Sequence, residues 1–139
     1  MKIYNGAGQI LGRMATAIAK DVLLGEEVRV VNAEKVIISG DKVNTFAREH
    51  QRLLRGGHPH RSQIRTRLPD RFVRRTIRGM LPWKIARGKE AYKRVLCYVG
   101  IPEVFAKEKL ILLDHASQKK LPTLKYITVG EVLKHLGGK

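Results

Sequence analysis

The chain reads as an α/β layered protein with a mostly parallel sheet, on three observations. Short β-branched apolar runs alternate with segments of helical periodicity, the signature of strand–helix–strand units. Apolar residues make up 43 % and charged residues 29 % of the sequence, a globular composition. The length of 139 residues fits one domain, residues 1–139, and a chain of this size buries roughly two thirds of its surface without disulfide staples.

Each element follows from its own residues. Lys2 to Asn5 reads as a short first strand, and Gly6-Ala7-Gly8 as a turn. Ile10 to Leu24 is helical, with Leu11, Met14, Ala15, Ile18 and Val22 at spacings of three and four, closed by Gly25. Glu27 to Val31 is a buried strand by its β-branched content. A turn at Asn32-Ala33-Glu34 leads into the apolar run Lys35 to Ser39. Asp41 stands where an N-cap belongs, ahead of a helix to about Leu54 whose inner stripe is Val43, Phe46, Ala47, His50 and Leu54. The helical pattern dissolves at Gly56-Gly57, and the segment of about 56–70 is a basic extension expected to order against a partner. Arg71 to Met80 is a helix with Phe72, Val73, Ile77 and Met80 toward the core, ended by Gly79 and Pro82. A helix from about Arg87 to Val95 and a strand from Leu96 to Val99 follow. Pro102 to Lys109 reads as a short helix, Leu110 to Leu113 as an apolar run and Ser117 to Thr123 as a polar loop. Thr128-Val129-Gly130-Glu131 is a capping box ahead of Val132, Leu133 and Leu136.

Charge points to the function. The net charge is +16, and it is concentrated. Residues 48–94 hold fifteen Lys and Arg against three acids, whereas the other 92 residues hold thirteen against nine. Such localisation is an electrostatic footprint rather than a solubility device. At 100° per residue, Arg71, Arg74, Arg75 and Arg78 share one face of their helix. Ordinary solvated helices intersperse acids at spacings of three and four. Four guanidinium groups without them suit a polyanion, whose phosphate oxygens they bind bidentately; the plainer reading is a soluble basic helix. Lys84, Arg87, Lys89, Lys93 and Arg94 extend that surface, as do Arg48, Arg52 and Arg55 before it. His58, His60, Arg61, Arg65 and Arg67 in the basic loop suit phosphate or base contacts. Trp83, the only tryptophan, is open to two readings: a ring stacked on a base or ribose, or a core plug. Arginines spread over a helix, a loop and a second helix suit folded RNA better than a DNA groove.

Other functional classes have weaker support. Gly6, Gly8 and Gly12 between a strand and a helix approach a dinucleotide fingerprint, but the spacing is loose and Asn32 stands where an acid is expected. The histidines lack the acids or cysteines of a metal site, and Asp114-His115 lacks a third catalytic member. No paired carboxylates offer acid–base chemistry. Cys97, the only cysteine, excludes an internal disulfide and suits buried packing in a reducing compartment. No apolar run has the length of a membrane span, and the N-terminus lacks a signal-peptide core. The expectation is a soluble intracellular protein without a membrane or small-molecule partner.

The segment RRTIRGMLPWKIARGKEAYKRVLCYVG resembles the signature of the universal large-subunit ribosomal protein L-thirteen family. The matching positions are Gly79-Met80-Leu81-Pro82, Gly88, Lys93-Arg94, Tyr98 and Gly100. GAGQILGRMATAIAK is similar to that family's first turn and helix, and VVNAEKVIISGDK to its second strand and turn. Trp83 and the ending YITVGEVLKHLG are similar to the archaeal and eukaryotic branch. The resemblance implies a three-layer α/β/α domain in the cytoplasm, on the ribosome, without catalysis or cofactor. It implies large-subunit rRNA and neighbouring ribosomal proteins as partners, a part in early subunit assembly, and a structural role for the glycine turn.

Overall fold

The computed structural model describes residues 1–55, 60 and 66–138. Its centre is a parallel sheet in the order β1 (Lys2–Asn5), β2 (Val28–Val31), β4 (Val95–Cys97). Lys2 pairs with Val28, and Val28 with Val95. The edge beyond β1 is extended by Ile111, whose amide donates to the Ile3 carbonyl at 2.7 Å while its own carbonyl accepts from Asn5. A second, antiparallel pair joins β3 (Ile37–Ser39) to β5 (Tyr126–Thr128).

Strand alternation sends Val28 and Val30 to one face of the sheet and Val31 to the other. The first face carries the main core. Helix α1 (Leu11–Leu23) buries Leu11, Met14, Ala15, Ile18 and Val22, the whole stripe expected from its periodicity. Beside it lie α3 (Pro69–Gly79), which buries Val73 and Ile77, and α4 (Ala86–Lys93), which buries Gly88 and Ala91. The second face is covered more thinly. Phe105, in a 3₁₀ turn at Glu103–Phe105, packs with Ile3 and Val31, flanked by Tyr98 and Leu110. Only three residues of the expected helix at 102–109 take helical form, and Val104 stays exposed, so no long helix covers this face among the described residues.

Three further departures have local causes. Strand β4 begins at Val95, where helix α4 has already ended. Met80 is the C-cap of α3 and not a core residue; Leu81 is buried in its place, and the Met80 sulfur meets the Thr16 hydroxyl at 3.6 Å. Strand β5 has three residues, of which only Ile127 is buried, too short a run to show a period.

The largest departure is α2 (Lys42–Leu54), whose bounds agree with the sequence pattern but whose orientation does not. Its buried residues are Thr45 and Glu49, with Phe46 and Leu53 half-buried. Val43, Ala47, His50 and Leu54 face outward. Glu49 tolerates burial because Arg52 donates to its carboxylate at 2.7 Å and the Arg48 Nε lies at 3.5 Å. The chain ends in α5 (Val129–His135), capped as the sequence indicates: the Thr128 hydroxyl accepts from the Glu131 amide at 3.2 Å.

Candidate nucleic-acid interface

Helix α3 starts with Pro69 at its first turn, where a missing N–H costs nothing, and with Asp70 against the positive end of the helix. Val73 and Ile77 fix its inner side against α1 and β4. Arg71 is therefore exposed, while Arg74, Arg75 and Arg78 are half-buried along the flank. The arginine face expected from the periodicity is present, but its members are not equivalent.

Arg74 and Arg78 are held by aromatic rings. The Arg74 guanidinium carbon lies 4.4 Å from the Tyr92 ring centroid, and that of Arg78 lies 5.1 Å from the Trp83 centroid. Trp83 and Tyr92 meet edge to face at 4.9 Å and 86°. Cation and ring alternate through four side chains: Arg74, Tyr92, Trp83, Arg78. Such contacts stabilise by about 0.5–2 kcal/mol each and remove rotamer freedom from the arginines. Trp83 remains 38 % exposed, so it is packed along an edge and open elsewhere. Arg74 Nη2 reaches the Tyr92 carbonyl at 3.5 Å, while its Nε is buried without a hydrogen-bond partner.

A close backbone contact holds the turn in place. At Gly88, a Cβ atom would stand 2.1 Å from the Pro82 carbonyl oxygen and 2.4 Å from its carbon. Only glycine lets α4 approach the Pro82–Trp83 backbone this nearly. The turn is itself tight, with the Trp83 amide donating to Leu81 at 2.7 Å and the Ile85 amide to Pro82 at 3.0 Å. Lys84 on the turn, and Arg87, Lys89 and Lys93 on α4, are all exposed. Arg94 is turned inward, donating to the Val22 carbonyl at the end of α1 over 3.4 Å. Among the described residues, the ion pairs to carboxylates involve the Met1 ammonium, Lys2, Arg29, Arg48 and Arg52; Arg71, Arg74, Arg78, Lys84, Arg87, Lys89 and Lys93 have none.

Between α2 and α3 lies a cleft of about 340 Å³ lined by Glu49, Arg52, Thr66, Phe72, Arg75 and Thr76, among others. Arg48 and Arg52 point partly into their pairing with Glu49, and Arg55 is exposed at the end of α2. His60 and Arg67 are exposed; His58, Arg61 and Arg65 lie outside the described residues. Tyr92 is the member of the cluster that periodicity does not reveal. It stands eighteen residues from Arg74, and only the packing of α4 beside α3 joins them.

The glycine turn is a structural corner. The amides of Gly6, Gly8, Gln9 and Ile10 donate to the carbonyls of Val31, Lys35, Gly6 and Ala116. They are already committed, so they do not form a cradle for a pyrophosphate. A Cβ at Gly6 would meet Val36 Cγ2 at 2.6 Å, which accounts for that glycine by packing alone. Among the described residues, no three of His, Cys, Asp and Glu cluster as a metal site, and no helix is long and apolar enough to cross a membrane. Burial pushes the Cys97 thiol up to about 12, with Asp70 adding to the rise and Arg74 opposing it.

A family model for ribosomal protein L13 matches residues 1–104. The large ribosomal subunit protein uL13 of Methanocaldococcus jannaschii is 44 % identical over 143 aligned residues, covering all of this chain and 99 % of the relative. That of Methanococcoides burtonii is 42 % identical over 139 residues, with the same coverage. That of Archaeoglobus fulgidus is 40 % identical over 136 residues, covering 97 % of this chain and 86 % of the relative. On these matches the chain belongs to the ribosomal protein L13 family, whose members are structural proteins of the ribosome and not enzymes.

Proposed function

We propose that this protein is a structural constituent of the large ribosomal subunit, that it binds large-subunit rRNA, and that it joins early in assembly. The surface that binds is α3, the Leu81–Ile85 turn and α4. Arg71, Lys84, Arg87, Lys89 and Lys93 neutralise phosphates, while Arg74 and Arg78 set the position of the two rings. Arg75, and Arg48, Arg52 and Arg55 on α2, border the same surface, and His58, His60, Arg61, Arg65 and Arg67 add contacts to phosphate or base.

The observation that carries this reading is the cluster of Arg74, Tyr92, Trp83 and Arg78, bordered by exposed cations without carboxylate partners. Such cations repel one another until an anion arrives, and rings held edge to face leave an aromatic surface beside the phosphate contacts. RNA recognition uses both, because phosphates position the protein and unstacked bases or riboses meet aromatic rings.

Sedimentation of a native lysate through a sucrose gradient, followed by a salt wash of the large-subunit fraction, tests the proposal. The expected result is near-stoichiometric protein on the subunit after about 0.5 M salt, where screening reduces the range of charge to a few ångströms. Protein found mainly at the top of the gradient overturns it and favours a free RNA-binding regulator.

A further inference from the structure

Helix α2 turns an apolar stripe to solvent. Val43, Ala47, His50 and Leu54 recur at spacings of four, three and four, and Val43 and Leu54 are 72 % and 70 % exposed. The helix has no freedom to roll the stripe inward, because its opposite side is anchored by Thr45 and by Glu49 with its two arginines. At the flank, Phe46 stacks on His135 of α5 at 4.1 Å and 15°, with the Lys42 ammonium 5.7 Å from the Phe46 ring. Val43, Phe46, Ala47, His50 and His135 line a shallow groove of about 370 Å³. An amphipathic helix whose apolar side is unburied in its own domain marks a surface meant for another.

We propose that this face of α2 docks an amphipathic α-helix of a neighbouring ribosomal protein, one that carries carboxylates beside its apolar seam. The inference rests on the functional reading above. The four–three–four spacing is the one two helices share along a packed seam. From Val43 to Leu54 it spans about 16 Å, three helical turns. The chemistry of the partner follows from charge. Lys42 precedes the stripe and Arg55 follows it, both exposed, and Glu49, the one acid of α2, is turned inward and neutralised. A second copy of this chain, packed antiparallel, would set Lys42 against Arg55, whereas a helix bearing carboxylates is complementary to both. RNA is disfavoured because the exposed surface of the stripe is mainly the carbon of Val43, Ala47 and Leu54, with His50 its one polar member, while Arg48 and Arg52 turn to Glu49 on the opposite side.

The test places the photoreactive residue benzoylphenylalanine at Val43, and separately at Leu54, in the full-length chain expressed in cells. Large subunits are purified and irradiated, and the cross-linked peptides are sequenced. Both sites are exposed, so the larger ring leaves the core intact. The expected result is that both positions label one ribosomal protein, within a single helical segment bearing Asp or Glu, and that Ala47→Glu in the seam removes most of the label. Label in rRNA, in a second copy of this chain, in a segment without acids, or in nothing overturns the inference while the chain still sediments with the subunit. A chain absent from the subunit overturns the functional reading itself, and the two failures are thereby told apart.

Discussion

Gly88 shows how much one absent side chain governs. Its lack of a Cβ lets α4 seat against the Pro82–Trp83 backbone, and that seat fixes where Trp83 and Tyr92 meet. Gly88→Ala forces a methyl group to within 2.1 Å of a backbone carbonyl that has no rotamer to escape by. The expected cost is about 2 kcal/mol or more, in the range of overpacking changes. Calorimetry of the variant is the check, and a melting temperature equal to that of the parent would mean that the turn relaxes freely. Cys97 offers a second prediction. With its thiol raised from 9.0 to about 12 by burial, the native protein holds the neutral form. A raised value contributes stability in full below the unfolded value, and loses it as pH rises through 9 toward 12. Since the thiolate is the nucleophile, alkylation at pH 8 should run roughly two to three orders of magnitude slower in the native protein than in urea. Equal rates would show an open thiol.

At the scale of the element, α3 divides its arginines between two tasks. Arg71 is exposed and free of aromatic contact, whereas Arg74 lies over Tyr92. Arg71→Ala should weaken RNA binding and leave the melting temperature unchanged. Arg74→Ala should weaken binding and also destabilise the fold by about 1 kcal/mol, since it removes a stacked guanidinium and its packed stem. Filter binding beside thermal melts separates the two, and identical profiles would refute the division. For α5, the hydrogen bond from the Glu131 amide to the Thr128 hydroxyl predicts that Thr128→Ala costs about 1 kcal/mol in a denaturant titration. Periodicity made α1 legible down to its buried residues, and α3 as far as Val73 and Ile77, while Met80 of the same stripe lies exposed. It failed for α2 because a stripe records where apolar residues lie, not which surface covers them. It also failed for β5, whose three residues are shorter than any period requires.

For the whole molecule, the charge of +16 makes ionic strength the controlling variable. Binding to large-subunit rRNA should weaken with salt at a log–log slope of roughly −0.7 to −0.9 per phosphate neutralised. Removing Arg71, Lys84, Lys89 and Lys93 together, all exposed and outside the core, should flatten that slope by about 3. A slope unchanged by the fourfold variant would move the interface off α3 and α4.

The sequence by itself determined the class of fold, the bounds of the first two helices, the concentration of charge in residues 48–94 and the family. Each is carried by local periodicity, composition or motif, and these are written along the chain. Tertiary structure alone decided which arginines are stacked, that Tyr92 completes the cluster, that Met80 yields its place to Leu81, and that α2 presents its apolar stripe outward. Those outcomes depend on pairs distant in sequence, such as Arg74 with Tyr92 and Gly88 with Pro82, and on the competition between elements for one core. Glu49 can take the inner side of α2 in place of Val43 and Leu54 because two arginines of its own helix neutralise it, while Phe46 stacks on His135 of α5. The energy of that choice lies in three-dimensional pairing, which hydrophobic periodicity does not record.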